Sequence, residues 1–284
     1  MRRKYAYYAI LLFLFTLIIC GCIYLGKTVE VQINTENITD AEVTVDIKIE
    51  DSEDSEEEKE EISAVSKENI EEAVAFDFSL IPEYSGDAYV AVNDNVPFFT
   101  EEDMVTTSYE TYSELDELGR CGVCVVSVGK DIMPEDEREG IGNVKPSGWN
   151  QAKYPGVVNG NYLYNRCHLI GFQLTGENDN KGNLITGTRY LNIDGMLAFE
   201  NMVADYVKET GNHVLYRVTP IFENHNLLAS GVLMEAKSVE DDGEDILFCV
   251  YCYNVQPGVV INYEDGSSSL KETEKELNYE HIVK

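Results

Sequence analysis

The sequence predicts an α+β fold with a central antiparallel β-sheet flanked by helices and long loops. Three observations lead there. Short β-branched and aromatic runs recur through residues 81–263, one amphipathic helical period covers Gly195–Thr210, and no internal repeat is evident. In chain order, Ala88–Val92 and Gly122–Gly129 read as strands, a loop-rich stretch runs to Gly160, and Tyr162–Gly171 reads as strand and turn. In the helix, Met196, Phe199, Val203, Tyr206 and Val207 recur at helical spacing, and Gly211 supplies the C-terminal stop. Strand-like runs return at Val214–Phe222, Leu227–Ala236, Ile246–Val255 and Val259–Tyr263, the last two joined by the turn sequence Gln256-Pro257-Gly258.

Composition bounds the class. The 284 residues hold 52 Asp plus Glu against 21 Lys plus Arg, a net charge of -31 with a sequence pI near 4.3. With 44% hydrophobic residues and 18 Tyr, the chain can build a core, and collagen-like, coiled-coil and polytopic membrane classes are excluded. The charge argues against a partner held by a broad basic face. It is also uneven: Met1–Lys27 carries +4 and no acid, residues 28–72 carry 17 acids against 3 lysines, and residues 73–284 hold the remaining -21.

That unevenness divides the chain. Arg2, Arg3 and Lys4 precede an uncharged run from Tyr5 to Gly26, long enough to span a bilayer with its basic flank on the cytoplasmic side. Residues 1–26 are therefore expected to be an N-terminal membrane anchor or signal segment. Either the anchor is uncleaved, or Ile19-Cys20-Gly21-Cys22 is a lipoprotein signal with Cys22 lipidated, and both leave the body outside a bacterial cell membrane. Residues 27–75 read as an acidic disordered stalk, because a run such as Glu50–Glu61 cannot bury enough surface to offset chain entropy. Within it, Ala41–Ile49 alternates like a strand without an obvious partner. Residues 76–265 form the globular domain and 266–284 a charged tail.

Of the four histidines, His213, His225 and His281 sit at a strand entrance, between strands and in the tail, where a surface loop explains them. His168 differs. It lies in Tyr164-Asn-Arg-Cys-His-Leu-Ile-Gly171, two residues after Arg166, so on a strand the two side chains share a face. A cation beside a histidine that must stay neutral to take a proton calls for an anion between them, and phosphate is the obvious one. Downstream come Asn183, then Asn192 nine residues on, then Glu200 eight further, each unremarkable alone.

Together these residues resemble the DNA/RNA non-specific endonucleases, the ββα-metal nucleases, and most closely the streptococcal and pneumococcal ones. Asn165-Arg166-Cys167-His168 is similar to their Asp-Arg-Gly-His signature, and the Asn183, Asn192 and Glu200 spacing to their second block. The likeness spans about Ile81–Tyr263 and takes in Glu114–Gly122 and Gly140–Trp149. It implies a Mg2+-dependent hydrolase of DNA and RNA with little sequence specificity, Mn2+ being the alternative ion. His168 would be the general base, and Asn192 the single protein ligand to the ion. Glu200 would hold a metal-bound water, Arg166 would clamp the phosphate, and Asn183 would support the site beside the scissile phosphate. Arg120 and Arg189 are further basic candidates, with Lys181 a third member of a local cluster around Arg166. The runner-up is a catalytically weakened nucleic-acid-binding surface lipoprotein or adhesin.

Two departures stand out: Asn165 replaces the usual Asp and Cys167 the usual Gly. Outside the head, Cys121, Cys124, Cys167, Cys249 and Cys252 include two C-x-x-C pairs. Both pairs lie in strand-like runs, where positions i and i+3 face opposite sides, so buried thiols are expected in place of a zinc site.

Overall fold

The computed structural model describes residues 27–33, 45–51, 78, 81–135 and 137–272. The anchor segment, most of the stalk and the end of the tail, with Cys20, Cys22 and His281, lie outside the described residues. Two compact units divide the chain, residues 1–64 and 65–284. In the first, β1 (Lys27–Ile33) and β2 (Val45–Asp51) pair antiparallel, Lys27 opposite Asp51 and Ile33 opposite Val45. The alternation noted around Ala41–Ile49 thus has a partner some twenty residues upstream.

The second unit is built on six antiparallel strands. They are β3 (Tyr89–Ala91), β4 (Tyr109–Tyr112), β5 (Cys124–Val128), β8 (Val214–Ile221), β9 (Gly231–Ser238) and β10 (Leu247–Tyr253), in spatial order β3-β10-β9-β8-β5-β4. The inner strands read as near-continuous apolar runs because both faces are covered. On one face Val126, Tyr216, Met234 and Phe248 pack against Phe199, Val203 and Val207 of a long helix. On the other, Val125, Leu215, Leu233 and Tyr251 meet Tyr84, Phe98, Phe99 and Met104 from the segment before β4. That second face also buries Arg217 against Glu235, with Nε–Oε2 at 2.6 Å and Nη2–Oε1 at 2.7 Å.

On the helix side of the sheet lies a ββα unit. β6 (Tyr164–His168) and β7 (Leu184–Thr188) form an antiparallel pair, Arg166 opposite Thr186 and His168 opposite Leu184. The connection between them carries the short helix α1 (Phe172–Thr175). After β7, a six-residue π turn, Leu191–Met196, leads into α2 (Leu197–Thr210), which Gly211 ends in the left-handed conformation at φ 76°. The five residues picked out by helical spacing are all buried.

Several elements differ from the sequence reading. β4, the sequence YETY, is too short and polar to stand out, and β7, LITGT, is short and interrupted by a glycine, a residue depleted in strands. Gln256–Gly258 does form a turn, with Val259 N–H donating to Gln256 O at 3.0 Å and Gly258 at φ 81°. Yet β10 and β11 (Val259–Ile261) do not pair; β11 takes β12 (Ser268–Leu270), which draws the start of the charged tail into the fold. The described cysteines are all free and buried. Cys249 and Cys252 face opposite sides of β10, as the period requires, but Cys121 and Cys124 pack into one cluster, because β5 begins only at Cys124.

Candidate active site

The ββα unit lines a cavity of about 830 Å³. His168, Arg166 and Asn165 reach it from β6, Asn192 and Ile193 from the π turn, and Glu200 from the first turn of α2. The strand period puts Arg166 and His168 on the cavity side and Cys167 in the core. The π turn matters for Asn192 and Glu200. Eight residues on a regular α-helix leave two side chains about 80° apart around the axis, and the wider π turn underwinds that stretch, bringing them round to one side.

His168 is only 6% exposed. Its Nε2 lies 2.8 Å from the Asn178 carbonyl oxygen, an acceptor, so Nε2 carries the proton and Nδ1 keeps the lone pair. That lone pair accepts from Nη2 of Arg138 at 3.1 Å. Burial pushes the imidazole pKa down to about 4; the bond to Asn178 works against this and the Arg138 charge adds to it. The histidine is accordingly neutral at physiological pH.

The cation beside His168 is therefore Arg138, from a loop thirty residues earlier, and not Arg166. Arg166 turns its Nε to Val144 O and its Nη2 to Gly142 O at 2.7 Å, with the guanidinium 4.3 Å from the Trp149 ring centre. Nothing in the run Glu135-Asp-Glu-Arg-Glu139 marks Arg138, since acids on both sides make it look like one partner in a solvated charge cluster. Asn178 fixes the arrangement, its Nδ2 donating to Glu139 O at 3.2 Å while its backbone carbonyl accepts from His168 Nε2–H. Arg138 also lies over Phe172, 5.9 Å from the ring centre.

Glu200 is partly buried, and desolvation lifts its carboxyl pKa to about 7 despite the nearby Arg138 charge. Gly171 lets it in: a Cβ there would stand 2.9 Å from Glu200 Oε2. Asn192 Oδ1 accepts from the Cys167 thiol at 3.1 Å, so the residue that replaces the family glycine touches the proposed metal ligand from behind. Burial pushes that thiol well above its ordinary range, keeping it protonated and a donor.

The remaining candidates separate. Asn183 is fully buried and does not reach the cavity. Its Oδ1 accepts from Ile170 N at 2.7 Å and its Nδ2 donates to Ile170 O at 2.9 Å, so it pins the chain after His168 and does not meet a phosphate directly. Arg120 is also removed, paired with Asp116 at 2.6 Å and bonded to the Asn224 and Asn226 carbonyls. Lys181 is exposed on a 3-10 turn and does not line the cavity. Arg189 does line it.

A divalent ion suits these donors. Among the described residues no cluster of three or more His, Cys, Asp or Glu side chains could hold a metal. An ion here would take carboxamide or carboxylate oxygen and fill its sphere with water and substrate oxygens, which is the habit of a hard cation. Glu200, a carboxylate without an ion pair among the described residues, fits the same picture.

Residues 100–240 match the family model of the DNA/RNA non-specific endonucleases. Among solved structures, NucA from Streptococcus agalactiae with magnesium bound shares 23% identity, covers 72% of this chain and 95% of its own, and superposes with a TM-score of 0.60. Its metal-free form gives 22% identity with the same coverage and TM-score. The Sda1 nuclease with bound zinc shares 26% identity over 66% of this chain and 97% of its own, at a TM-score of 0.55. No protein of curated function matches. With the ββα unit and four of the six sheet strands falling within the matched residues, the chain carries a DNA/RNA non-specific endonuclease domain and is a nuclease.

Proposed function

We propose that the protein is a membrane-anchored, extracellular, Mg2+-dependent endonuclease that cleaves DNA and RNA phosphodiesters with little sequence specificity. The observation that carries this reading is a buried, neutral His168 whose unprotonated Nδ1 faces a cavity shared with Arg166, Asn192 and Glu200. The basic head and apolar run of residues 1–26 support the anchor, as an uncleaved span or a lipid on Cys22. Among the described residues no helix is long and apolar enough to cross a membrane.

Asn192 is the residue to hold the ion, with Glu200 orienting a water beside it. Magnesium suits an oxygen donor set better than zinc does, since the thiols of Cys167 and Cys252 nearby are buried and protonated. Once bound, the ion would neutralise charge developing on the phosphate and the leaving 3′ oxygen. Arg166 is held by two carbonyls and Trp149, ready to meet a non-bridging oxygen. Arg138 has a second task. A substrate phosphate competes for its guanidinium, and as Arg138 turns to that anion, Nδ1 of His168 is freed to take a proton from the attacking water. The Asn178 carbonyl holds the ring in the required tautomer and stabilises the imidazolium that forms.

Nicking of supercoiled plasmid by the full chain, with Mg2+ and with EDTA, tests the reading. Metal-dependent nicking is expected, and its absence would overturn the proposal. Mass spectrometry of the mature N-terminus separates an uncleaved anchor from a diacylglyceryl Cys22.

A further inference from the structure

Of the aromatic rings that line the cavity, Tyr164 is buried, Phe172 lies under Arg138 and Trp149 under Arg166, which leaves Tyr162 without a part in the hydrolytic chemistry. Tyr162 is 48% exposed, a large ring left in water at the edge of a catalytic cavity. Its position is built. The loop before it closes through a Lys153–Tyr162 bridge and a Tyr154 N–H to Asn161 O bond of 2.8 Å, and Asn161 adopts φ 70°. Tyr154 OH ties the loop to Ser268 Oγ at 2.8 Å, and the next residue, Leu163, is fully buried. Lys153 Nζ stands 4.5 Å from the Tyr162 ring centre, so a cation backs one face of the ring. Arg166 covers Trp149 in the same way, and Arg189 lines the same cavity.

Aromatic rings interleaved with cations beside a phosphodiester site match the stacking platforms that hold unpaired bases. A paired base inside a duplex has no free face to offer. We infer that Tyr162, with Trp149, is a stacking subsite for an unpaired nucleobase next to the scissile phosphate, making single-stranded DNA and RNA the favoured substrates. The inference rests on the nuclease reading of the cavity. Gln151, a carboxamide that lines the same cavity two residues after Trp149, is committed to backbone and does not read a base edge. Its Oε1 accepts from Tyr164 N at 3.0 Å and its Nε2 donates to Tyr164 O at 2.6 Å, and stacking, which uses only the π face that every base has, is tolerant of sequence.

Trp149 is the only tryptophan in the chain, so its fluorescence reports the site directly. In EDTA, oligo(dT) added to the full chain should quench it, and the affinity should exceed that for a duplex of equal length. Tyr162→Ala should cut the single-strand-to-duplex affinity ratio about 5- to 100-fold, Tyr162→Phe should preserve it, and the melting temperature should not move. With Mg2+ present, the ratio of cleavage rates should fall in parallel. Equal loss for single strand and duplex, or an unchanged ratio, overturns the subsite. If the ratio shifts in EDTA but neither form is cleaved with metal, the nuclease reading fails and the stacking site stands. Cleavage without strand discrimination does the reverse.

Discussion

Arginine is used in two ways in this molecule. In the sheet, Arg217 and Glu235 are fully buried and joined by two bonds of 2.6 and 2.7 Å. Around the cavity, Arg138, Arg166 and Arg189 have no carboxylate partner among the described residues, in a chain where acids outnumber bases by more than two to one. The first arrangement satisfies a charge so that it can be buried. The second leaves Arg166 held by carbonyls and an aromatic face and Arg138 by an imidazole and an aromatic face, all of which a phosphate can outcompete. On the proposed reading, an acidic nuclease does without a basic face because the few cations around its cavity are kept from its own carboxylates.

The sharpest test of that contrast is at the centre of the cavity. His168→Ala should lower kcat/KM by about 10²- to 10⁴-fold, the usual share of a general base, while oligonucleotide binding in EDTA persists. Binding lost together with rate would mean that the cavity had collapsed. Arg138→Ala should cost about 10- to 100-fold in kcat/KM with little change in melting temperature. Glu235→Ala should do the opposite, destabilising the fold by about 3–5 kcal/mol through the stranded Arg217. If both variants lose stability alike, the distinction between the two kinds of arginine fails.

His168 also carries a pH signature. Its folded pKa near 4 lies below the unfolded value of about 6.5, so the unfolded chain binds more protons between these values and stability rises with pH across that window. His168→Gln should flatten that part of the stability curve, and NMR should show the imidazole still neutral at pH 5. Salt should act weakly. Three phosphate contacts on a single strand give a slope of about -2 for log affinity against log salt, and a much steeper slope would require a basic surface elsewhere. At the small end, Arg120→Ala should change cleavage less than about 2-fold, since its guanidinium is committed to Asp116 and two carbonyls.

Much of the site could be read along the chain. His168, Arg166, Asn192 and Glu200 sit at fixed spacings on one ββα unit, so local geometry ties their order to their position. The α2 helix and its Gly211 stop were legible because a buried face repeats every three to four residues. Asn183 was legible as a position but not as a role, since spacing does not reveal that both ends of its side chain go to the Ile170 backbone. The anchor and stalk expectations concern residues that lie largely outside the described ones.

What the sequence by itself determined is the alternation of β6, the amphipathic face of α2 and the spacing of the residues between them, all set by periods of two and 3.6 that each segment carries alone. What only the tertiary structure decided is which groups meet. Arg138 reaches His168 from a loop thirty residues away, Trp149 and Tyr162 line one cavity, and Cys167 backs Asn192 from an adjacent element. Such contacts depend on how loops close over the sheet, and the free energy of that packing is shared among residues far apart in the chain, so no local pattern records it.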